Sequence, residues 1–345
     1  MSLEGFIRSM PKVELHVHLV GAITPQRLLA LARKNAVPLP VSTVEGMHDW
    51  FRFRDFAHFI EIYVAASHCI HDQEDLEEVA RDFLAGQAAQ NIRYTEFTHT
   101  AWVHAKRANL GFQAQLAALN RARTWARHEH GIESGIVIDI PRNITGDEGI
   151  TVADWAISGA ADGVVALGLG GDETSNPPER FRLAFERARA AGLPSVPHAG
   201  ETVGPASIWG ALRALGAHRI GHGIRCLEDP SLVTELRDRR VPLELCPTSN
   251  VCLAGVPSVE QHPIGALLQA GLLLTVNSDD PAMFNTTLTD EFRKVSQSHG
   301  LGADAIELLT LNAIQASCMS SAAKAQFATE FRASFAALRA DHGVA

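Results

Sequence analysis

Eight segments of this chain are apolar and rich in β-branched residues: Val13–Leu19, Arg93–His99, Ser134–Ile140, Val164–Leu169, Ser195–Ala199, Arg219–His222, Leu243–Cys246 and Leu272–Asn277. Near-continuous apolar character, rather than strict alternation, is what a strand covered on both faces requires. Between most consecutive pairs lies one amphipathic stretch of helical period, such as Gln113–Arg127, Pro178–Ala191, Pro205–Leu215, Pro230–Arg239 and Pro263–Ala270. Several open on proline in the first turn, where a missing N–H costs nothing. Strand and helix alternating eight times predict an α/β fold, a (β/α)8 TIM barrel of parallel strands. The interval from Thr24 to Asn91 is too long for one crossover. It is expected to hold several helices, the first being Pro25–Asn35 capped by Thr24, and to cover the barrel mouth. Phe53, Phe56, Phe59, Ile60 and Tyr63 recur there at near-helical spacing, which fits core packing or the lip of a pocket. Helices from Gly302 to the end should close the outside. Pro141–Gly149 and Asp172–Pro178 read as loops, and no Ser, Gly or Pro tract reads as a linker, so residues 1–345 are expected to form a single domain.

Composition narrows the classes of function. The 345 residues carry a net charge of −9, and no block of Lys and Arg supplies the footprint that a phosphate backbone needs, so no nucleic-acid partner is expected. Met1–Met10 lacks the apolar run of a secretory leader, and the most apolar stretch, Leu267–Val276, is too short to span a bilayer, so no membrane partner is expected. Cys69, Cys226, Cys246, Cys252 and Cys318 are odd in number and form no CxxC pair. They read as packed, reduced thiols, and the expected location is cytoplasmic.

The candidate chemistry begins with His16-Val17-His18 on the first segment. A strand throws residues i and i+2 to one face, so both imidazoles can meet one metal ion. The spacing alone is weak, because roughly 0.7 such pairs arise by chance from 16 His in 345 residues. A second pair, His128-Glu129-His130, ends a helical stretch, where residues two apart differ by about 200° around the axis and cannot share a small ion. Position separates the two pairs. The first also has company at other strand ends: His198-Ala199-Gly200-Glu201, Gly221-His222-Gly223 and Ser278-Asp279-Asp280-Pro281. The carboxyl ends of barrel strands are where catalytic groups collect. His16, His18 and His198 then supply three nitrogens and Asp279 an oxygen to a single catalytic zinc with an open position for water. Pro281 ends the last strand, so that Asp280 can reach the site as well as Asp279. Glu201, just past its strand, is assigned as proton donor, with a helix-start carboxylate as the plain alternative. His222 is placed to take a proton from the water or to stabilise developing charge. The run Gly163–Glu173 has no lysine to bridge a second metal and no GxGxxG or Walker pattern. Gly171 at its end either offers a backbone N–H to a flat heteroaromatic ring or is a loop glycine chosen for its dihedral angles.

In order and combination these residues resemble the adenosine deaminase family of mononuclear zinc barrels. The resemblance covers nearly the whole chain: Pro11–Leu19, Gly170–Glu173, His198–Thr202, Arg219–Gly223, Cys246–Asn250 and Ser278–Pro281. It implies that His16, His18, His198 and Asp279 bind one zinc and that Glu201 protonates the purine N1. It further implies that His222 assists the attack on C6, that Asp280 holds N7 and orients the water, and that His18 and Gly171 lie against the substrate, Gly171 at N3. The implied reaction is hydrolytic deamination of a 6-aminopurine nucleoside to the 6-oxopurine with release of ammonia. One position departs. Family members acting on adenosine usually carry aspartate right after the His-x-His-Leu run, on the ribose 5′-hydroxyl, whereas this chain has Val20. Valine cannot accept that hydrogen bond, and a buried hydroxyl left unpaired costs about 1–3 kcal/mol. The expected substrate therefore has a 5′ end that is deoxy, apolar or extended, as with the similar aminodeoxyfutalosine deaminases of menaquinone biosynthesis. Plain adenosine, free adenine, or another ring amide cleaved by a zinc amidohydrolase are the alternatives.

Overall fold

The structure is a computed structural model that describes residues 2–344. Eight strands, β1 (Lys12–His18), β2 (Ile92–His99), β3 (Glu133–Pro141), β4 (Val164–Gly170), β5 (Ser195–Ala199), β6 (Ile220–His222), β7 (Leu243–Leu245) and β8 (Leu274–Val276), lie side by side in chain order. Every neighbouring pair from β1 to β8 is parallel. This is the expected (β/α)8 barrel, with strand limits within about two residues of those read from the sequence.

The seam between β8 and β1 is closed differently from the rest. Asn277 Oδ1 accepts from the backbone N–H of Leu15 (2.9 Å) and His16 (3.1 Å). Ser278 donates through N and Oγ to Glu14 (2.8 and 2.6 Å). His18 N–H reaches the Asp279 carbonyl at 2.8 Å, and Asp279 N–H reaches the His16 carbonyl at 3.1 Å. The register of β1 slips between Glu14 and Val17, which marks a bulge that takes in His16. Side chains of Asn277, Ser278 and Glu14, with a single backbone bridge at Val17 and Asp279, thus do at the seam what a ladder does elsewhere.

Beneath the mouth, Arg219 is buried and donates to Glu96 on β2 (2.7 Å) and to Glu244 on β7. The charges of Glu96 and Glu244 overcome burial and keep its guanidinium firmly protonated. Val137, Ala166 and Val196 form a small apolar cluster of their own on β3, β4 and β5. Two residues further along the same strands stand Asp139, Gly168 and His198, so the strand period carries the interior from apolar packing to polar chemistry.

Two expectations need correction. Pro141–Gly149 is not all loop, because a helix runs Gly146–Ser158. Thr145 caps it reciprocally with Glu148, the pattern that two glycines in the first turns obscured. Of the four helices between β1 and β2, Pro25–Lys34, Val44–Trp50, Phe56–Ser67 and Gln73–Ala89, only Phe56–Ser67 lines the pocket at the mouth. Gln73–Ala89 buries Leu76, Val79, Ala80, Phe83 and Leu84 and lies outside the barrel beside Phe112–His130. Glu77 pairs there with Arg121, and Arg81 sits 5.0 Å from the Trp125 ring. Phe112–His130 takes in the second histidine pair, and His128 is exposed near its end. The last helix, Ser321–His342, buries Phe331 and Phe335, the latter 6.1 Å from Phe6 of the first helix. Among the described residues no helix is long and apolar enough to cross a membrane.

Candidate active site

The ends of three strands, β1, β5 and β8, bring the four candidate ligands together. His18 Nε2 lies 3.2 Å from His198 Nε2, and Asp279 Oδ1 lies 3.3 Å from both His16 Nε2 and His18 Nε2. Donors held about 2.0–2.1 Å from a tetrahedral zinc stand about 3.3 Å from one another, so this spacing fits the ion. His16 Nε2 is buried with no hydrogen-bond partner, which leaves its lone pair available. Its Nδ1 is 3.0 Å from Glu244, whose other oxygen accepts from Arg219. A carboxylate on the far nitrogen fixes the ring and presents Nε2 to a metal. Burial alone would lower the His16 pKa, but Asp279 and Glu244 raise it to about 10, the sign of a place built for positive charge. A second possible donor set substitutes His222 and Cys246. Burial, then the charges of Asp279 and Glu244, keep the Cys246 thiol protonated, which makes it the poorer ligand.

Backbone conformation aims two of these side chains. Asp279 has φ +64° and His222 φ +61°, left-handed values that cost a non-glycine residue about 1–3 kcal/mol and persist only where the surroundings enforce them. Two glycines clear space. A Cβ on Gly21 would fall 1.7 Å from Asp280 Oδ1, and one on Gly221 2.7 Å from the His16 ring.

Next to this cluster lies a pocket lined by Glu201, His222, Asp280, Gly170 and Gly171. Glu201 is 3.8 Å from His222 Nε2, and His222 Nε2 is 3.8 Å from Asp279. Burial, then the charges of Asp279 and Glu173, hold the Glu201 carboxyl well above the ordinary carboxylate range. Burial and the neighbouring Asp279 raise Asp280 as well, while His16 and His18 hold Asp279 low against the effect of its own burial. His222 is pushed down by burial to about 4 and is neutral at pH 7. Gly171 has φ +99° and also lines the pocket, so both readings of this glycine describe the same residue.

Of the sequence-derived site residues, His16, His18, His198, Glu201, His222, Asp279, Asp280 and Gly171 converge. Val20 does not join them on the wall, being buried in the apolar core. Phe56, Phe59, Ile60 and Tyr63 form an apolar side of the pocket with Val64 and Val103, while Phe53 packs behind them against Phe59 (5.3 Å) and Phe284 (5.6 Å).

Four supporting residues had no assigned role from the sequence. Glu173 accepts from the N–H groups of Gly200, Glu201, Thr202 and Val203 (2.9–3.2 Å) and from Ser207 Oγ (2.9 Å), caging the segment that carries Glu201. Arg142, fully buried, donates to the His198 carbonyl (2.7 Å). Asp139 lines the pocket with Oδ1 unpartnered. Asn250 lies 3.3 Å from His222. Asn250 and Glu173 fall inside motifs visible in the chain, whereas Asp139 and Arg142 stand in the run Ile138-Asp139-Ile140-Pro141-Arg142, which has no distinguishing spacing.

Comparison with known proteins agrees with this geometry. The chain is 38% identical over 334 residues to an aminodeoxyfutalosine deaminase of Streptomyces avermitilis, covering 95% of this chain and 92% of that protein. It is 33% identical over 326 residues to an adenine deaminase of Vibrio parahaemolyticus, covering 94% and 96%. Among solved structures, an adenine deaminase from Arthrobacter aurescens superposes with a TM-score of 0.90 at 30% identity, covering 94% and 98%. A zinc-bound amidohydrolase from Burkholderia ambifaria superposes at 0.92 with 25% identity, covering 99% and 95%. Residues 11–333 match the family described as adenosine deaminase, and the chain is a member of that family of aminohydrolases.

Proposed function

We propose that this protein hydrolytically deaminates a 6-aminopurine nucleoside whose 5′ end is deoxy or carries an apolar or extended substituent. The observation that carries this reading is the pocket itself: a four-donor metal cluster and two protonated carboxyls at one end, with an apolar wall of Phe56, Phe59, Ile60, Tyr63, Val64 and Val103. Val20 lies in the apolar core and brings no carboxylate to the pocket for a 5′-hydroxyl, and the similarity to aminodeoxyfutalosine deaminases supports a larger 5′ group.

His16, His18, His198 and Asp279 would hold one zinc ion. Zinc bound there would lower the pKa of a water to about 7 and so supply hydroxide at neutral pH. Glu201, kept protonated by its surroundings, donates a proton to the ring N1, which draws electron density from C6. Asp280, its proton retained by burial, donates to N7 and fixes the ring in plane. Gly171 offers its N–H to N3. His222 faces the oxygen that adds to C6. The hydroxyl added at C6 then gives its proton to the amino group as the C6–N bond breaks, so that ammonia leaves and the 6-oxo product forms. The eight strands belong to one sheet, which supports reading the chain as one domain. The five free cysteines agree with a reducing cytoplasm.

Free adenine is the second reading, favoured by the resemblance to adenine deaminases in sequence and structure. Ultraviolet absorbance assays on adenosine, adenine, 5′-deoxyadenosine, methylthioadenosine and aminodeoxyfutalosine decide between them. A 5′-modified nucleoside is expected to react fastest. Adenosine outrunning the others by an order of magnitude would overturn the 5′ inference, and adenine doing so would select the second reading.

A further inference from the structure

Behind His222 runs a line of buried groups that no step above uses. The backbone N–H of Ile264 donates to His262 Nδ1 at 3.2 Å. His262 Nε2 lies 3.2 Å from Asn250 Oδ1, and Asn250 Nδ2 lies 3.3 Å from His222 Nδ1. His262, Asn250 and His222 are each no more than 3% exposed. His222 Nε2, at the open end of the line, is buried and has no hydrogen-bond partner.

The direction of each hydrogen bond follows from its first member. Imidazole tautomers and amide orientations are ordinarily assigned from their neighbours, but a backbone N–H can only donate, so His262 Nδ1 must accept. A neutral imidazole carries one proton, which therefore sits on His262 Nε2 and is donated to Asn250 Oδ1. The Asn250 amide then turns its NH2 toward His222, whose Nδ1 must accept, and the His222 proton resides on Nε2. Burial pushes His262 down to about 3, so the ring that sets the direction of the line is neutral.

We propose that Asn250 and His262 are positioning residues that lock His222 in its Nε2–H tautomer, making it a hydrogen-bond donor to the oxygen that adds to C6 rather than the base that deprotonates the water. This rests on the deaminase reading above and deepens it. A donor already aimed where negative charge develops stabilises the transition state without reorganisation. It also gives a role to Asn250 in the motif Cys246-Pro247-Thr248-Ser249-Asn250.

The test is nitrogen NMR of the zinc-loaded protein with 15N-labelled histidine, His222 being assigned by the signal lost in His222→Gln. His222 is expected to show a protonated Nε2 and a bare Nδ1. The opposite pattern in the unaltered protein would overturn the proposal, with no variant needed. Asn250→Asp replaces the donor with an acceptor of nearly the same shape. It is expected to move the His222 proton to Nδ1 and to lower kcat by about 10²–10⁴-fold with KM little changed, the order of loss seen when a catalytic imidazole is held in the wrong tautomer. A variant that swaps tautomer yet keeps its kcat would equally refute the donor role. Failure of the deaminase reading is recognised separately, by unaltered protein that releases no ammonia from any purine in the substrate panel.

Discussion

Glu201 lies among Asp279, Glu173 and Asp280, and after burial itself the charges of those acids keep its proton in place. In the proposed mechanism such a carboxyl enters the reaction as an acid, and the residue matters there for the proton it carries and not for charge it offers a metal. Glu201→Gln should retain its zinc, measured by elemental analysis, and lose about 10²–10⁴-fold in kcat, the usual worth of a positioned proton donor. A near-normal rate in the absorbance assay would remove Glu201 from the mechanism. At this scale the sequence was legible wherever a side chain belonged to a short pattern at a strand end, as with His16 and His18, His198 and Glu201, or Asp279 and Asp280. It was illegible where the chemistry depends on partners far apart in the chain. Glu244 supports His16 across 228 positions, and Arg219 meets Glu96 across 123. A lone acid in an apolar strand gives no sign of such a partner.

The segment Gly200–Val203, between β5 and the helix Pro205–Arg213, shows how a loop is made rigid. Its four N–H groups point at the Glu173 carboxylate, which therefore fixes the backbone bearing Glu201. Glu173→Ala leaves those donors unpaired, at about 1–3 kcal/mol for each of the buried Gly200 and Glu201 N–H groups. The expected result is a lower thermal midpoint together with a kcat reduced by roughly 10²-fold, since an ångström of misplacement has that effect on a catalytic group. Unchanged kcat in folded protein would show that Glu201 keeps its place without this cage. Elements themselves were read well where periodicity was strong, and the eight strands and most crossover helices stand where the apolar pattern put them. Gly146–Ser158 escaped because Gly146 and Gly149 mimic a loop. Gly149 is there for room, since a Cβ would sit 2.9 Å from the Phe181 ring. The interval between β1 and β2 was expected to cover the barrel mouth as a whole, whereas one of its four helices lines the pocket there, because periodicity says that a helix has an apolar face, not which surface it covers.

For the molecule as a whole, acid should be more damaging than base over the middle pH range. Burial lowers His99 to about 4 and His104 to about 3, and the rings stack with centroids 5.3 Å apart. In the unfolded chain both titrate near 6.5, so between pH 6.5 and 4 the unfolded state binds more protons. Stability is therefore complete above pH 6.5 and lost as pH falls through that window, by about 2 kcal/mol for His104 at pH 5. His104→Leu should shrink the loss between pH 7 and pH 5 by about 1–2 kcal/mol in denaturant titrations, while any release of metal affects both proteins alike. An identical pH dependence would mean that His104 titrates as an ordinary surface imidazole. The seam between the last strand and the first carries a different kind of consequence. Asn277, Ser278 and Asp279 join the two ends of the sheet, Asp279 also completes the proposed metal site, and all three are synthesised some 260 residues after His16. A growing polypeptide on the ribosome consequently displays His16 and His18 first and His198 later, and acquires the carboxylate of the proposed ligand set last. Ring closure and completion of the ligand set thereby become one late event, and a prematurely terminated product lacks both.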